Sequence, residues 1–596
     1  MSVPDVLAAV EDPHDRSLAL GARGRLQELN LAGVLEAADV HVAERVGALA
    51  DGVAPEVTLA VALAVRAVRG GSVCVDLATL ADDPQLADLT WPDLAGWVAA
   101  LRASPLVTPP EGHPAVLRLH DDRLLYLDRY WREEGQVCAD LLERLSTTRA
   151  VGPGAEVDPA ALDRVFPSRG YDEQRAAARV ALAQGTTVLT GGPGTGKTTT
   201  VAALLALLLE RDPGARVALA APPGKAAARL QQAVEEEVAA LPDPADRDRL
   251  EGLHAVTLHR LLGSRPDTSV RFRHHRENRL PHDVIVVDET SMVSLTMMAR
   301  LLEAMRPQTR LILVGDPDQL TSVEAGAVLG DLVDGLGARP EHQIAELRTS
   351  HRFGVAILRL AEAVRDGDAD AALAALRAGD EHVVFLESDG GAADPGLTPA
   401  VRALLVPHAV RLRSAALRGD VGEALAALDD QRLLCAHRDG PYGVRHWNEQ
   451  VERWVGEETE PIWTTWYAGR PLLVTANDYG LGIYNGDVGV CVQGPEGLRA
   501  HVAATGAPVD LAPSRLGDVE TMHAMTIHKS QGSQAGTVVV LLPPPDSRLL
   551  TRQLLYTAIT RAREKVVVVG SADDVRAAVD RRARRATGLA ERLGRA

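Results

Sequence analysis

A glycine-rich run that contains one lysine carries the clearest chemical signal in the sequence. The run consists of Gly191, Gly192, Pro193, Gly194, Thr195, Gly196, Lys197 and Thr198, followed by Thr199, and it matches the pattern GxxxxGK[ST]. Glycines at this spacing let backbone N–H groups surround phosphate oxygens, and the start of the following helix adds partial positive charge. We expect Lys197 to reach the β- and γ-phosphates and the Thr198 hydroxyl to hold Mg²⁺. The run therefore predicts a site for a nucleoside triphosphate.

Two adjacent carboxylates provide the second half of this site. Asp288 and Glu289 follow the apolar run Val284–Val287, so both lie at the end of a predicted strand. Asp288 is expected to bind Mg²⁺, directly or through water, and Glu289 to orient and deprotonate the attacking water. Taken alone, the pair also fits an acidic strand end that caps the next helix. Its combination with the glycine-rich run favours hydrolysis.

Gln174 is the candidate for recognition of the nucleotide base. It belongs to the segment Asp172–Gln174, which precedes the strand that leads into the glycine-rich run. A glutamine amide can donate to and accept from the edge of adenine, and this would select ATP. The solvated start of a helix explains the same residues equally well.

The elements that must position these residues form two series of alternating strands and helices. Such alternation predicts parallel sheets with crossover helices, so the fold class is α/β. We predict one domain over residues 151–340 and a second over residues 341–596. The predicted strands are Thr186–Thr190, Arg216–Ala220, Val284–Val287 and Leu311–Val314 in the first series and Val383–Leu386, Leu433–Ala436, Thr537–Leu542 and Lys565–Val569 in the second.

Two other regions depart from this rhythm. Residues 1–150 contain helical patterns, such as Val57–Val68 and Tyr130–Leu145, and predict a helical N-terminal domain that ends in a linker at Thr147–Pro159. The segment Leu472–Val492 has strands broken by Asn-Gly and Asp-Tyr-Gly turns. It predicts a small β-module inserted in the second domain over about residues 470–520. Gly390–Ala426 gives no clear assignment.

Charge and composition limit the classes of function. The 596 residues carry a net charge of −18, which argues against nucleic-acid binding by bulk positive charge but leaves room for local basic grooves. Residues 1–150 hold 23 acidic and 13 basic residues, a net charge of −10. The four cysteines form no CxxC pair, and no uncharged apolar run reaches the ~18 residues that span a bilayer. We therefore expect a cytoplasmic protein without a membrane partner.

Nine segments of the chain, taken in order, resemble the motifs of superfamily 1 helicases, and within that family those of the RecD subunits of the RecBCD (exodeoxyribonuclease V) complex. The resemblance covers most of residues 165–570. One departure is Pro223, where the family usually has threonine, because a proline offers no hydroxyl and no N–H to a DNA phosphate. The matching segments are Asp172–Gln174, Gly191–Thr198, Ala221–Arg229, Thr257–Gly263, Asp288–Met292, Gly315–Asp331, Leu347–Arg352, His523–Ser533 and Tyr556–Arg561.

The resemblance implies an ATP-dependent helicase that moves 5′→3′ on single strands. It implies two tandem RecA-like P-loop domains with ATP in the cleft between them. In such a motor Gln319 senses the γ-phosphate from the first domain, while Arg352 and Arg561 reach it from the second. Gly532 is implied as a further nucleotide contact. The implied contacts to the DNA backbone are Lys225, Thr257, His259, Thr526, His528 and Ser530.

The resemblance also implies partners, namely single-stranded DNA, DNA ends, and RecB-like and RecC-like subunits in a heterotrimer for double-strand break repair and recombination. The nuclease site is expected on a partner, because no cluster of Asp, Glu and Lys lies outside the motor motifs. A stand-alone helicase of the longer RecD-like type and an ATP-switched scaffold without strand separation are the alternatives. The acidic residues 1–150 lack a helix-hairpin-helix pattern and favour docking on a partner protein, with a self-contained cap on the motor as the other interpretation.

Three further features have two interpretations each. The basic segment Ser269–Leu280 resembles the pin hairpin of superfamily 1B helicases, or it is a solvated charged loop. Trp447, Trp463 and Trp466 could stack on bases, although packing in a core or an interface is favoured. The run Arg581–Arg585 either touches DNA or, as we favour, forms the solvated face of a helix.

Overall fold

The computed structural model shows an α/β protein with two parallel sheets, a small N-terminal domain and an inserted β-module. Arg352 and most of the predicted linker Thr147–Pro159 fall outside the described residues. The structure describes residues 15–80, 86, 89–107, 114–148, 158–167, 170–265, 268–339, 343–350, 354–478, 480–503 and 507–595.

In the described part of the N-terminal domain, four helices pack against a three-stranded antiparallel sheet with the order β1-β3-β2. The predicted helix Val57–Val68 is α3, and its apolar residues from Val57 to Ala64 are buried in the domain's own core. The sheet adds to the predicted helical domain, because strands of three or four residues are too short to show a periodic pattern. The elements are α1 (Gly24–Leu31), α2 (Ala37–Gly47), α3 (Pro55–Arg69), β1 (Cys74–Asp76), α4 (Leu94–Ala103), β2 (Leu117–His120) and β3 (Leu124–Leu127).

The first α/β domain has a six-stranded parallel sheet with the order β11-β4-β10-β9-β5-β6. Strands β4, β9 and β10 are buried along most of their length, as expected for a parallel sheet covered on both faces. Its helices are α5 (Asp128–Thr148), α6 (Pro159–Val165), α7 (Asp172–Ala183), α8 (Lys197–Arg211), α9 (Gly224–Ala240), α10 (Pro244–Leu250), α11 (Leu258–Leu262), α12 (Leu295–Ala304) and α13 (Val328–Gly337). Its strands are β4 (Thr186–Gly191), β5 (Val217–Ala221), β6 (Ala255–Thr257), β9 (Val284–Val287), β10 (Arg310–Gly315) and β11 (Ile344–Leu347), with a separate hairpin of β7 (Ser264–Arg265) and β8 (Thr268–Phe272).

The second α/β domain has a five-stranded parallel sheet with the order β12-β21-β20-β13-β19. The predicted β-module is confirmed as a five-stranded antiparallel sheet, with the order β17-β16-β15-β14-β18, inserted between β13 and β19. The domain's helices are α14 (Val355–Asp366), α15 (Ala369–Leu376), α16 (Thr398–Leu417), α17 (Val421–Asp430), α18 (Val444–Glu458), α19 (Arg552–Ile559) and α20 (Ala572–Asp580), followed by α21 (Leu589–Arg595). The strands are β12 (Val383–Glu387), β13 (Gln431–Cys435), β14 (Pro471–Val474), β15 (Val488–Gly494), β16 (Gly497–Val502), β17 (Val509–Leu511), β18 (Val519–Thr521), β19 (Ala524–Thr526), β20 (Ala535–Leu541) and β21 (Ala562–Gly570).

Helix α5 and the C-terminal helix α21 pack with the first α/β domain. Leu141 of α5 and Leu589 of α21 share one apolar cluster with the first parallel sheet. Cys74 and Tyr126 of the N-terminal sheet also belong to this cluster, while the other buried apolar residues of that domain form a core of their own. The chain therefore returns from the second domain to the first at its C-terminal end. Between α20 and α21 it forms no helix, so the interpretation of Arg581–Arg585 as a helix face is wrong.

The segment Gly390–Ala426, unassigned from the sequence, contains α16 and the start of α17. Helix α16 continues through Pro407, a residue that usually interrupts helices because it lacks an N–H. Among the described residues, no helix combines the length and the apolar composition that crossing a bilayer requires.

Candidate functional site

The glycine-rich run connects β4 to α8 and encloses its own lysine. Lys197 is the first residue of α8, and its ammonium donates to the carbonyls of Gly191 and Gly192 at 2.6 and 2.9 Å. The Thr195 hydroxyl also donates to the Gly192 carbonyl, at 2.9 Å. Lys197 therefore points into the loop, where phosphate oxygens can replace these carbonyls as its partners.

The loop backbone has the shape that a phosphate cradle needs. Gly194 and Gly196 have φ angles of 81° and 82°, a region that glycine adopts without steric cost. A Cβ at Gly191 would lie 2.6 Å from the Thr195 hydroxyl and 2.8 Å from the Leu347 carbonyl, so a larger residue does not fit there. The loop is thus suited to hold a polyphosphate at the start of α8.

Gln174 is buried against this loop and not on a solvated helix surface. Its Nε2 donates to the Thr195 carbonyl at 3.0 Å, and only 1% of the residue is exposed. Its Oε1 is buried without a hydrogen-bond partner among the described residues. A buried amide oxygen of this kind can accept from an exocyclic amine, so Gln174 fits an adenine ring placed beside the loop.

Asp288 and Glu289 follow β9 at the same edge of the sheet as the glycine-rich run. The Asp288 carboxylate accepts from the Glu289 N–H at 2.8 Å. Burial and the neighbouring Glu289 charge raise the pKa of Asp288, and Lys197 opposes this rise. Glu289 has a φ of 50°, a left-handed conformation that costs a non-glycine residue ~1–3 kcal/mol. The Thr198 hydroxyl and the Asp288 carboxylate are oxygen ligands of the kind that Mg²⁺ prefers.

Asp316 and Tyr556 are functional candidates that the sequence did not single out. Asp316 follows β10 and is 3% exposed, and its Oδ2 accepts from the Gln319 amide at 3.0 Å and from the Tyr556 hydroxyl at 3.2 Å. Burial raises the pKa of Asp316, while the Lys197 charge opposes this. Both residues lie inside segments that resemble helicase motifs, which is the signal that could have identified them.

Gln319 and Arg561 join the two α/β domains directly. Arg561 is 4% exposed, and its Nη2 donates to Oε1 of Gln319 at 3.1 Å. Its Nε donates to the Thr557 carbonyl at 3.1 Å within the second domain. Beside this pair, the Gln531 amide donates to the Leu320 carbonyl at 2.8 Å, and the Leu320 N–H donates to the Thr557 hydroxyl at 2.9 Å. The structure thus brings a group from each domain to the nucleotide edge of the first sheet.

Two other predicted nucleotide residues contact helix α9. The Gly532 carbonyl accepts from Arg229 at 3.2 Å, and the Thr199 hydroxyl donates to Glu237 at 2.8 Å. Burial lowers the pKa of Arg229, and the nearby Glu289 opposes this. Arg229 is therefore another arginine close to the catalytic carboxylates, a position that its motif did not predict.

The segment that leads to Arg352 is fixed at the glycine-rich run. The N–H and the hydroxyl of Thr349 both donate to the Glu173 carboxylate, at 3.0 and 2.9 Å. The Ser350 hydroxyl donates to the Pro193 carbonyl at 3.2 Å. The role predicted for Arg352 itself stays a prediction, because that residue lies outside the described part of the chain.

Lys225, a predicted DNA contact, is half-buried between the first α/β domain and the β-module. A Cβ at Gly224 would lie 2.7 Å from Cβ of Tyr484, and a Cβ at Gly486 would lie 3.7 Å from Cβ of Lys225. Burial lowers the pKa of Lys225 to about 7, and Asp487 of the β-module opposes this. The β-module lies against one side of Lys225, and the contact of Lys225 with DNA stays a prediction.

Thr257 and His259 lie at the start of α11. The Thr257 hydroxyl accepts from the Arg260 N–H at 3.1 Å and thereby caps the helix. The His259 ring meets the Phe272 ring edge-on at 5.8 Å, and burial lowers the pKa of His259. The contact of His259 with DNA stays a prediction.

Thr526, His528 and Ser530 form one turn of the second domain. The Thr526 hydroxyl accepts from the Lys529 N–H at 3.2 Å, and the Ser530 hydroxyl donates to the Ile527 carbonyl at 2.7 Å. Thr526 and Ser530 are 8% and 1% exposed, and burial lowers the pKa of His528. These hydroxyls stabilise the turn in the present arrangement, and their contacts with DNA also stay predictions.

The three tryptophans have different environments. Trp447 is 6% exposed and packs edge-on against Trp454, and the Arg470 guanidinium lies 4.5 Å from the centre of the Trp466 ring. Packing therefore explains both residues. Trp463 is 87% exposed, so no packing role is seen for it among the described residues.

The basic segment Ser269–Leu280 contains β8, which pairs with β7 in a short antiparallel hairpin. Arg276 pairs with Asp140 of α5 at 2.9 Å, and Arg279 donates to the Met305 carbonyl at 2.6 Å. Part of this segment therefore forms a hairpin, and part of its positive charge is used for contacts within the protein. Its action as a pin stays a prediction.

Family models match three parts of the chain. The AAA domain matches residues 170–384, the UvrD-like helicase C-terminal domain matches residues 521–569, and the N-terminal domain of the RecBCD enzyme subunit RecD matches residues 31–126. The first two ranges contain the nucleotide-site residues of the two α/β domains. The third range coincides with the part of the chain that has its own N-terminal core.

Curated proteins are similar over nearly the whole chain. The RecBCD enzyme subunit RecD of Mycobacterium tuberculosis (strain ATCC 25618 / H37Rv) is 62% identical over 585 residues, which cover 97% of this chain and 98% of that protein. The protein of the same name from Mycolicibacterium smegmatis is 64% identical over 568 residues, 94% of this chain and 98% of that protein. The ATP-dependent RecD2 DNA helicase of Deinococcus radiodurans is 32% identical over 480 residues, 79% of this chain and 58% of that protein.

Among solved structures, that of Bacteroides Pif1 bound to ssDNA shares 17% identity and covers 67% of this chain and 91% of that one. The TM-score of this match is 0.36.

Proposed function

The chain belongs to the RecD family of RecBCD enzyme subunits, and from this premise we propose that it is an ATP-dependent DNA helicase that acts within a RecBCD-type complex. The observation that carries this proposal is the hydrogen bond between Gln319 and Arg561, because it joins the two α/β domains beside the nucleotide site. Hydrolysis can change the separation of two domains only if a group from each responds to the same phosphate.

ATP hydrolysis is assigned to residues at the edge of the first sheet. The loop backbone and Lys197 hold the β- and γ-phosphates, while Glu289 takes a proton from the water that attacks the γ-phosphorus, giving ADP and phosphate. Gln319 and Arg561 face the charge that develops on the γ-phosphate. Thr198 and Asp288 would hold Mg²⁺, which neutralises phosphate charge when it is bound.

Substituting Arg561 by alanine tests the contact between the domains. We expect ATP turnover to fall ~10- to 150-fold, because a hydrogen bond to a charged group contributes ~1.5–3 kcal/mol. Affinity for single-stranded DNA should be retained. Steady-state ATPase assays and fluorescence anisotropy with labelled DNA measure the two quantities.

Double substitution of Gln319 and Arg561 provides the control. If the two residues act as a pair, the second substitution should add little to the first. If Arg561→Ala kept wild-type turnover but lost DNA binding, this would contradict the assignment and would indicate that Arg561 contacts DNA instead.

The finer features of the function are also part of the proposal. Movement is 5′→3′, the complex acts on DNA ends in double-strand break repair, and the nuclease site lies on a partner subunit. Glu289, Gln319 and Arg561 together favour hydrolysis over an ATP-switched scaffold. This chain and the RecD subunits match over nearly their full lengths, and this favours a subunit of a complex over a stand-alone helicase. A cytoplasmic location stays a prediction.

Partner docking is assigned to the N-terminal domain. Its core lies within residues 19–127, whereas helix α5 packs with the first α/β domain. The apolar residues of Val57–Ala64 are buried in this core, and Val137 and Leu141 of α5 pack in the cluster of the first α/β domain. The docking proposal therefore rests on the acidic charge of the region and on its match to the RecD N-terminal family model.

Deleting residues 1–127 tests this assignment, because it spares α5. We expect the shortened chain to lose co-purification with its partner subunits and to keep nucleotide binding. Pull-down from the native host, with a tag at the C-terminus, measures the first quantity, and equilibrium binding of a fluorescent ATP analogue measures the second. A complex that survives the deletion would place the docking surface elsewhere.

A further inference from the structure

The segment that follows helix α20 connects all three parts of the chain. Arg581 donates to the carbonyls of Ser547 and Pro545 in the second α/β domain, at 2.6 and 2.7 Å. Five residues later, the Ala586 carbonyl accepts from the Val73 N–H of the N-terminal domain at 2.9 Å. Helix α21 then packs on α13 of the first α/β domain. A short extended stretch thus spans from the second domain to the other two.

Arg585 lies where these parts meet. Its Nη1 donates to the carbonyls of Glu324 and Gly326, at 2.9 and 3.0 Å. Gly71 of the N-terminal domain lies against the guanidinium, because a Cβ there would be 2.7 Å from Cζ of Arg585. The Gly71 carbonyl accepts from the Gly326 N–H at 2.9 Å. Burial lowers the pKa of Arg585 to about 10, so the side chain is still a cation at pH 7.

The turn Glu324–Gly326 is the far end of the loop that begins at Gln319. The Ala325 carbonyl accepts from the Leu295 N–H at 3.1 Å, and a Cβ at the glycine of this turn would lie 3.1 Å from Cβ of Leu295. The turn therefore has little room to shift. The loop is held at one end by the contact of Gln319 with Arg561 and at the other by Arg585.

We propose that Arg585 is a positioning residue of the ATP site. It holds the loop that presents Gln319 to Arg561, and through Gly71 it makes ATP turnover depend on how the N-terminal domain is seated. A partner subunit that moves the backbone at Gly71 would change the contacts that hold the loop from Gln319 to Gly326. This second part rests on the proposed function, because it requires partner subunits to dock on the N-terminal domain.

The test compares Arg585→Ala with Arg584→Ala in the full-length chain. Arg584 is a matched control, because it is the exposed neighbour in the same extended stretch. We expect Arg585→Ala to lower kcat for ATP hydrolysis, expressed per nucleotide site, about tenfold. This is the loss in rate expected when one charge-assisted hydrogen bond is removed. The Kd and the number of sites for a fluorescent nucleotide should change less than about twofold. Arg585→Lys should recover most of the loss, since an ammonium can donate to both carbonyls.

Assembly with the partner subunits provides the second measurement. In the wild-type chain, assembly should change kcat relative to the free chain, and in Arg585→Ala this change should be lost.

The positioning role would be overturned by equal kcat values in the two alanine variants. It would also be overturned if the number of nucleotide sites fell in parallel with kcat. A wild-type kcat that assembly leaves unchanged would overturn the coupling. A wild-type chain that assembles with no partner would contradict the proposed function and the coupling, whereas the free-chain comparison would still decide the role of Arg585.

Discussion

Substituting Glu289 by glutamine is expected to leave ATP binding intact and to slow hydrolysis ~10²- to 10⁴-fold, the range associated with loss of a general base. Glutamine keeps the size of the side chain but cannot take a proton from water. Glu289 follows β9 at the phosphate edge of the sheet, next to Asp288, and has a left-handed φ of 50°. Because the amide can occupy the same space, the effect should appear in kcat and not in affinity.

Two measurements distinguish a role of Glu289 as the general base from a purely structural role. Equilibrium titration with a fluorescent nucleotide gives the affinity, and DNA-stimulated turnover gives kcat. Glu346→Gln is the matched control, because Glu346 is an exposed carboxylate on β11 that pairs with Arg348 at 2.8 Å. It should behave as wild type. If affinity and turnover fell together in Glu289→Gln, the water would have to be activated by another group.

The parallel sheets could be predicted because their strands are buried on both faces. The run Val284–Val287 is an unbroken β-branched segment, and its predicted bounds coincide with strand β9. The β-module was predicted for a different reason, namely that Asn-Gly and Asp-Tyr-Gly turns separate its strands. Both signals are local, so a short window of the sequence contains them.

The parts that the sequence did not predict depend on distant contacts. Strand β1 has three residues and gains its partner from Leu124–Tyr126, fifty residues later. Helix α16 contains Pro407, and local propensity argues against a helix there. The run Arg581–Arg585 is extended because its partners are Ser547, Gly326 and other residues far away in the chain. No local pattern carries that information.

In the candidate site, too, the sequence predicted which residues take part but not how they are packed. The motifs identified Lys197, Asp288 and Glu289 by residue type and spacing. They could not show that Gln174 has a buried, unpartnered oxygen beside the loop, because that depends on the packing of α7 against the P-loop. They also could not show that the β-module lies against Lys225, since the two segments are far apart in sequence.

Substituting Lys197 by arginine is expected to reduce DNA-stimulated ATP turnover ~10²- to 10³-fold, the scale for loss of one preorganised donor to a developing negative charge. The ammonium lies inside the loop, 2.6 Å from the Gly191 carbonyl and 2.9 Å from the Gly192 carbonyl. A guanidinium is planar and larger, so it cannot occupy this space and donate to phosphate oxygens in the same geometry. The loop is closely packed here, because a Cβ at Gly191 would lie 2.6 Å from the Thr195 hydroxyl.

The chain offers an internal control for this change. Lys565 lies on β21, outside the nucleotide site, so Lys565→Arg makes the same chemical change and should keep wild-type turnover. Circular dichroism should show that both variants fold alike, since both lysines are half-buried and each change keeps the positive charge. Retention of more than about a tenth of wild-type turnover by Lys197→Arg would limit the contribution of the ammonium to ~1.4 kcal/mol of barrier. The backbone of the glycine-rich loop, and not Lys197, would then be the main source of phosphate stabilisation.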